Sequence, residues 1–443
     1  VPEMENGLRK TGEATLKKNQ EKRRHIVPIA AEMLKALGAR AVLCSNSSSS
    51  TSVVRKMSSA PASRKFVSVE GSDIHSRSKP DGFRFSLVSY NILAQVYVKS
   101  SSFPHSPSSS LKWKPRSNTI LEVLKDLGAD FFCLQEVDEF ESFYKGNMQN
   151  LGYSSIYMKR SGQKRDGCGL FYRHDCAELL LEEKIEYNDL VKSIPDGNSS
   201  NDDDHTNIQT VHADKQKDVE PKNGSKSNTE DRGDPNDPRV RLKRDCVGIM
   251  AAFKFKDPSR HIVIVANTHL YWDPEWADVK LAQAKYLLFR LAKFKTLVSD
   301  RYECIPEVIV AGDFNSQPGD TVLAFLKSQL LYFCLNSNVP VYQYLVSGNP
   351  SSNLMLNCLD ESPPIPLCSV YASTRGEPPF TNYTPGFTGT LDYILFSPSG
   401  HIKPISFLEL PDSDAADIVG GLPNFSYPSD HLPIGAEFEI IKE

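Results

Sequence analysis

In the segment IVAGDFNSQPGD, residues 309–320, an apolar run ends in a carboxylate and a carboxamide two positions apart, Asp313 and Asn315. Side chains alternate along a strand, so residues spaced by two address one place. Singly, a strand-end aspartate or asparagine more often serves a turn. Here there is company: Asn91, Glu136, Asp166, Asn267, His269, Asp392, Asp430 and His431 each stand in, beside or just past an apolar run. Gathered at one rim, these groups form a partly buried polar cluster that is costly unless a metal ion or a substrate offsets it. Oxygen donors without cysteine or paired-histidine spacing suit Mg²⁺ or Mn²⁺ better than zinc. Magnesium in turn directs attention to phosphate.

The elements that must position these residues are short. FRFSLVSYNIL and ADFFCLQEVD read as strands ending at Asn91 and Glu136. Between them PRSNTILEVLKDLG reads as a helix, with Pro115 and Ser117 near its start, apolar Ile120, Leu121, Leu124 and Leu127, and Gly128 as its stop. SSIYMKR and DGCGLFYR read as a hairpin; CVGIMAAFKF, HIVIVANTHL, EVIVAGDFN, TLDYILFS, ISFLEL and IGAEFEI as further strands; ADVKLAQAKYLLFRLAKF and DTVLAFLKSQ as helices. This alternation predicts an α/β fold, a two-layer mixed β-sandwich flanked by helices, in which polar strand ends converge on one rim.

Composition narrows the class. With 443 residues and 40% hydrophobic content, the chain can bury a core of one large domain or two small ones. A net charge of -4 and a pI near 6.3 give no global field for nucleic acid, so any such binding is local. The nine cysteines are scattered without a CxxC pair, which suits reduced thiols in a cytosolic, nuclear or organellar compartment. No window approaches the eighteen apolar residues of a membrane span. Residues 1–75 read as a disordered leader; the stretch between Glu32 and Glu70 lacks acids, is rich in serine and carries Lys35, Arg40, Arg55, Lys56, Arg64 and Lys65, as a transit peptide does. Residues 76–443 read as one domain with a disordered acidic insertion at about 188–238, too polar to offset its ordering entropy.

In order, SYNIL, LQEVD, DGCGLFYR, NTHLYWDPEW, GDFNSQPGD, FTGTLDYIL and YPSDHLPI resemble the motif series of the endonuclease/exonuclease/phosphatase superfamily. LQEVD, WDPEW and FTNYTPGFTGTLDYIL are most similar to its carbon catabolite repressor 4, nocturnin and Angel branch of poly(A) nucleases. The resemblance implies the endonuclease/exonuclease/phosphatase fold and Mg²⁺-dependent (or Mn²⁺-dependent) 3′-to-5′ exoribonuclease activity on the single-stranded 3′ poly(A) end of RNA. It implies Glu136, Asp313 and Asp430 as metal-binding residues, and Asp313, Asn315, His431, Asp392, His269 and Asp430 as catalytic. Asn91 and Asn267 are implied as substrate contacts, with Pro274 and Phe387 clamping an adenine. The basic residues Lys159, Arg160, Lys164 and Arg165, with Arg239, Arg241, Lys243 and Arg244, are placed to follow a phosphate backbone.

Two alternatives stay open. One is a nocturnin-like phosphatase acting on the 2′-phosphate of NADP(H), and the other a non-catalytic RNA-binding protein. The chain shows neither the period nor the asparagine pattern of the leucine-rich repeats by which the large deadenylases of the family join their complex, so membership in such a complex is not expected. Cytoplasm and nucleus are the expected locations, or mitochondrion or chloroplast where the leader acts as a transit peptide.

Overall fold

The computed structural model describes residues 65–69, 82–194, 234, 236–258, 260–320, 322–323, 325–326, 365–398 and 401–441. The strands in chain order are β1 Phe66–Ser68, β2 Phe83–Asn91, β3 Phe131–Gln135, β4 Tyr153–Lys159, β5 Gly167–Arg173, β6 Ala177–Glu186, β7 Val247–Phe255 and β8 Ile262–His269. They continue with β9 Glu307–Asp313, β10 Cys368–Ser369, β11 Asn382–Thr384, β12 Phe387–Gly389, β13 Asp392–Phe396, β14 Ile402–Leu408 and β15 Ile434–Ile440. Two helices dominate, α1 Trp113–Leu127 and α2 Ala277–Tyr302.

One sheet runs β1-β14-β15-β2-β3-β5-β4, the other β10-β13-β9-β8-β7-β6, and β11 and β12 form a separate hairpin. Alternate residues explain the layering. Phe85 and Leu87 of β2 join Phe253, Val265 and Ile309 of the facing sheet in the central core. Their neighbours Val88 and Tyr90 point outward onto Ile120, Val123 and Leu124 of α1. On the far side Ile264, Ala266, Val308 and Val310 pack against Leu287 and Leu291 of α2. Strands buried on both faces read as unbroken apolar runs, which is why their polar ends stand out.

Each sheet holds one parallel pair, β2 with β3 and β8 with β9, and the other pairings are antiparallel. The parallel pairs require crossovers, supplied by α1 and α2. Gly128 ends α1 at φ 55° with its N–H on the Leu124 carbonyl at 3.0 Å, the left-handed stop the sequence predicts. The parallel pairs bring Asn91 beside Gln135 and His269 beside Asp313, so both pairs finish at one rim. Carboxyl ends of parallel strands are where α/β folds place ligands.

The sandwich is as expected, with local differences. Phe66–Ser68, placed in the leader by sequence, pairs with β14 as an edge strand. Strand β6 had no sequence signal because Glu178, Glu182 and Glu183 break its apolar run at an exposed sheet edge. Tyr187–Ser193, at the start of the expected insertion, is a 3₁₀ turn whose Tyr187 and Leu190 are buried. Residues 195–233 of that insertion, and half of the helix expected over 320–329, lie outside the described residues. No helix among the described residues is long and apolar enough to cross a membrane.

Candidate active site

Asn91 closes β2 and sits at the centre of the rim. Its Nδ2 donates to Glu136 Oε1 at 3.1 Å and to Asp313 Oδ2 at 3.0 Å, while its Oδ1 accepts from the Leu93 N–H at 3.0 Å. One carboxamide thus holds two carboxylates from different sheets. Glu136 follows β3 in the left-handed region, φ 58°, and its other oxygen accepts from the Ala94 N–H at 3.0 Å. Burial, then the nearby Asp166 and Asp430 carboxylates, push Glu136 up to about 7 against those two hydrogen bonds.

Asp313 ends β9. Gly312 before it has φ 150°, and a Cβ there would fall 2.0 Å from the Thr268 carbonyl oxygen, so only glycine lets β8 and β9 run this close. Asp313 Oδ1 accepts from the Asn315 N–H at 2.9 Å. Its Oδ2 lies 3.6 Å from His269 Nε2 and 3.7 Å from His431 Nε2. Burial, reinforced by Asp392, raises the Asp313 carboxyl above the usual range. Burial depresses His269 to about 4, which Asp313 only partly offsets, so this imidazole is neutral at pH 7.

Register places Asp392, the first residue of β13, directly opposite Asp313. Its Oδ2 accepts from His431 Nδ1 at 2.8 Å and from Thr381 Oγ1 at 2.6 Å. Burial alone would lower His431, but the Asp392 and Asp313 carboxylates raise it well above the imidazole range, so His431 is an imidazolium. A carboxylate that fixes one ring nitrogen leaves the other to face the rim. Ser429 Oγ donates to the Asn91 carbonyl at 2.7 Å, tying the Asp430–His431 segment to β2.

Asn315 has φ 48°, donates one amide N–H to the Leu270 carbonyl at 3.0 Å and keeps the second. Its own carbonyl accepts from Lys280 Nζ of α2 at 2.7 Å. Phe387 is 38% exposed on β12, and Pro274 is exposed on the segment between β8 and α2.

Two expectations need correction. Asn267, expected to touch substrate, is fully buried, with Nδ2 donating to the Leu134 and Gly169 carbonyls at 3.0 and 2.9 Å and Oδ1 accepting from Gln135 Nε2 at 2.8 Å. Protein groups use both its donors, so it bridges the sheets. Nor do all the basic residues follow a surface. Arg160 is buried and 3.5 Å from Asp166, and Arg241 forks onto Asp278 at 2.6 and 2.8 Å. Arg241 and Arg244 also lie 4.0 and 4.1 Å from the Trp276 ring. Sequence reading passed over Thr381, Ser429, Lys280 and Tyr97, whose hydroxyl donates to Asp166 at 2.8 Å. Turns and helices carry these residues, and no apolar run ends on them.

The donor set fits a divalent cation. Donor atoms of Asp313, Asp392 and His431 lie within 4.8 Å of one another. The His431 imidazolium offers no lone pair, so the carboxylate oxygens are the ligands, and Asp392 Oδ1 is buried without a hydrogen-bond donor among the described residues. Burial and the Asp166 and Asp430 carboxylates disfavour charge on Glu136, and a cation at the rim would offset them. Oxygen ligands of this kind suit Mg²⁺ or Mn²⁺.

A two-sheet sandwich with this acid, amide and imidazole rim has the groups that hydrolysis of a phosphoester requires. Residues 88–431 match the Endonuclease/Exonuclease/phosphatase family, and the chain belongs to it. Carbon catabolite repressor protein 4 homolog 4 of Arabidopsis thaliana is 55% identical over 430 residues, 88% of this chain and 95% of that protein. The CCR4-Not complex 3′-5′-exoribonuclease subunit Ccr4 of Schizosaccharomyces pombe is 27% identical over 81% of this chain and 50% of its own length. This chain spans about half of that relative. Among solved structures, ANGEL2, described as a 2′,3′-cyclic phosphatase in complex with adenosine-2′,3′-vanadate, is 25% identical with TM-score 0.59, covering 86% of this chain and 99% of that one. The human nocturnin catalytic domain shares the fold at 22% identity and TM-score 0.52, over 87% of this chain and 100% of its own.

Proposed function

We propose that this chain is a Mg²⁺-dependent 3′-to-5′ exoribonuclease that shortens poly(A). The observation that carries the reading is the convergence of Asn91, Glu136, Asp313 and the His431–Asp392 pair, where one carboxamide joins carboxylates of both sheets. Glu136, Asp313 and Asp430 would hold the Mg²⁺, whose charge would offset that developing on the scissile phosphate. Asp313, whose Oδ2 faces both imidazoles at 3.6 and 3.7 Å, would orient the attacking water and take its proton. The His431 imidazolium and the second amide N–H of Asn315 hold phosphate oxygens, and neutral His269 donates to the same group. No side chain is needed as nucleophile.

Adenine preference is assigned to Phe387 and Pro274. A stacking platform contributes about 1–3 kcal/mol per base and favours single strands. The named activity of the Ccr4 subunits supports the nuclease reading, and the adenosine-vanadate of the ANGEL2 structure supports adenosine at such a rim. Purified wild type and Asp313→Ala are compared on 5′-labelled oligo(A) and oligo(U), on an oligonucleotide ending in a 2′,3′-cyclic phosphate, and on NADP⁺, each with Mg²⁺ and with chelator. Stepwise Mg²⁺-dependent shortening of oligo(A), absent in Asp313→Ala, is expected. Phosphate release from NADP⁺ or cyclic-phosphate opening with oligo(A) intact would replace the nuclease by a phosphatase. Binding of oligo(A) without hydrolysis of any substrate would leave only an RNA-binding role.

A further inference from the structure

Arg116 is an oddity the proposed chemistry does not use. It is 1% exposed and lies near the start of α1, the positive end of the helix dipole, where a carboxylate would be favoured. Nothing in the helix itself calls for a cation there. A buried guanidinium costs several kcal/mol unless its donors are met; Nη2 of Arg116 is buried without a partner among the described residues, and Nη1 and Nε reach out of the helix. Nη1 donates to the Ile92 carbonyl at 2.9 Å and the Pro428 carbonyl at 3.3 Å, and Nε to Gln95 Oε1 at 3.0 Å. None of these partners is a carboxylate; Asp138 and Asp430 act on it only at a distance.

The two carbonyls belong to loops far apart in sequence. Beyond Ile92 come the Leu93 and Ala94 N–H groups, which hold Asn91 and Glu136. Beyond Pro428 come Ser429, which returns to the Asn91 carbonyl, then Asp430 and His431. Gln95 in turn donates its N–H to Asp138 and its side chain to the Leu111 carbonyl at 3.1 Å, so the brace is itself anchored.

We propose that Arg116 is a positioning residue for the metal-holding rim, its Nη1 joining the Ile92–Ala94 loop to the Pro428–His431 segment while Nε is held by Gln95, so that Glu136 and Asp430 address one cation. This rests on the hydrolase reading above. Removing a group that orients a ligand commonly costs about 10- to 100-fold in metal affinity or activity. A lysine keeps the charge, but its one nitrogen cannot serve the two carbonyls from the place of Nη1 and the Gln95 oxygen from the place of Nε.

Wild type, Arg116→Met, Arg116→Lys and the control Val123→Ala, a buried residue of the same helix, are compared in three ways. These are thermal melting, Mn²⁺ binding followed by electron paramagnetic resonance, and kcat and KM on oligo(A). Expected are Mn²⁺ affinity and kcat lowered about 10- to 100-fold in Arg116→Met at temperatures where it is folded, with Arg116→Lys also impaired. Val123→Ala is expected to lose melting temperature while keeping wild-type Mn²⁺ affinity. If Arg116→Met does not fold, Gln95→Met, which removes one partner of the fork, should give the same selective loss at smaller size. Arg116 variants that bind Mn²⁺ like wild type, or lose it only in proportion to melting temperature, overturn this inference alone. A wild type that binds no Mn²⁺ overturns it together with the metal-site reading.

Discussion

At the residue scale, the rim stores electrostatic tension. Glu136 has a folded value of about 7 against an ordinary 4.5, because burial and the Asp166 and Asp430 carboxylates disfavour its charge. The folded state thus keeps the proton longer than the unfolded chain. The stabilising contribution is full below about 4.5 and is lost as pH rises through about 7. Without divalent metal at pH 8, Glu136→Gln should therefore melt above wild type, by about 2–4 °C for each kcal/mol relieved. At pH 4 the two should differ little. Mg²⁺ should raise the wild-type melting temperature at pH 8 and leave the variant unmoved, while the variant loses phosphoester hydrolysis. Calorimetry at both pH values with and without chelator checks this, and a variant less stable than wild type at pH 8 without metal would contradict it.

At the element scale, the β11–β12 hairpin is fastened to the catalytic segment. Asn382 bridges His431, the Tyr383 N–H donates to the Asp430 carbonyl at 3.0 Å, and the Leu432 N–H to the Thr381 carbonyl at 2.7 Å. Phe387 is thus carried on the same unit as His431. Phe387→Ala should lower kcat/KM on oligo(A) about 5- to 100-fold through lost stacking, with hydrolysis of bis(p-nitrophenyl) phosphate unchanged. Equal loss on both substrates would sink the clamp. Much of this rim was legible beforehand, because Asn91, Glu136, His269, Asp313 and Asp392 each stand at or next to the end of a buried apolar strand. The hairpin was not: its strands are three residues long, and their partners are set by tertiary contact. Arg116 was hidden for a related reason, since a helical arginine looks solvent-facing until its neighbours are known.

At the scale of the whole molecule, two sheets must keep their rims in register, and an apolar interface alone is a weak guide to that. Asn267 supplies a directional contact beneath the Asn91 bridge. It lies two residues below His269 on the same face of β8, about 6.6 Å from the strand end, so it meets the opposite sheet where His269 meets the rim. Sequence periodicity gives the face and not the depth, which is why it looked like a substrate contact. Its hydrogen bonds to Leu134, Gly169 and Gln135 cross the interior. Asn267→Ala takes a donor from each of two buried carbonyls, at about 1–3 kcal/mol for a group left unsatisfied, and one acceptor from Gln135 Nε2, which keeps Ser89 and the Cys133 carbonyl. A loss of several kcal/mol in chemical denaturation is expected, with KM for oligo(A) unchanged in the molecules that remain folded. A substrate-contacting Asn267 predicts the reverse, KM raised at unaltered stability, so denaturation and steady-state kinetics on one preparation decide between them.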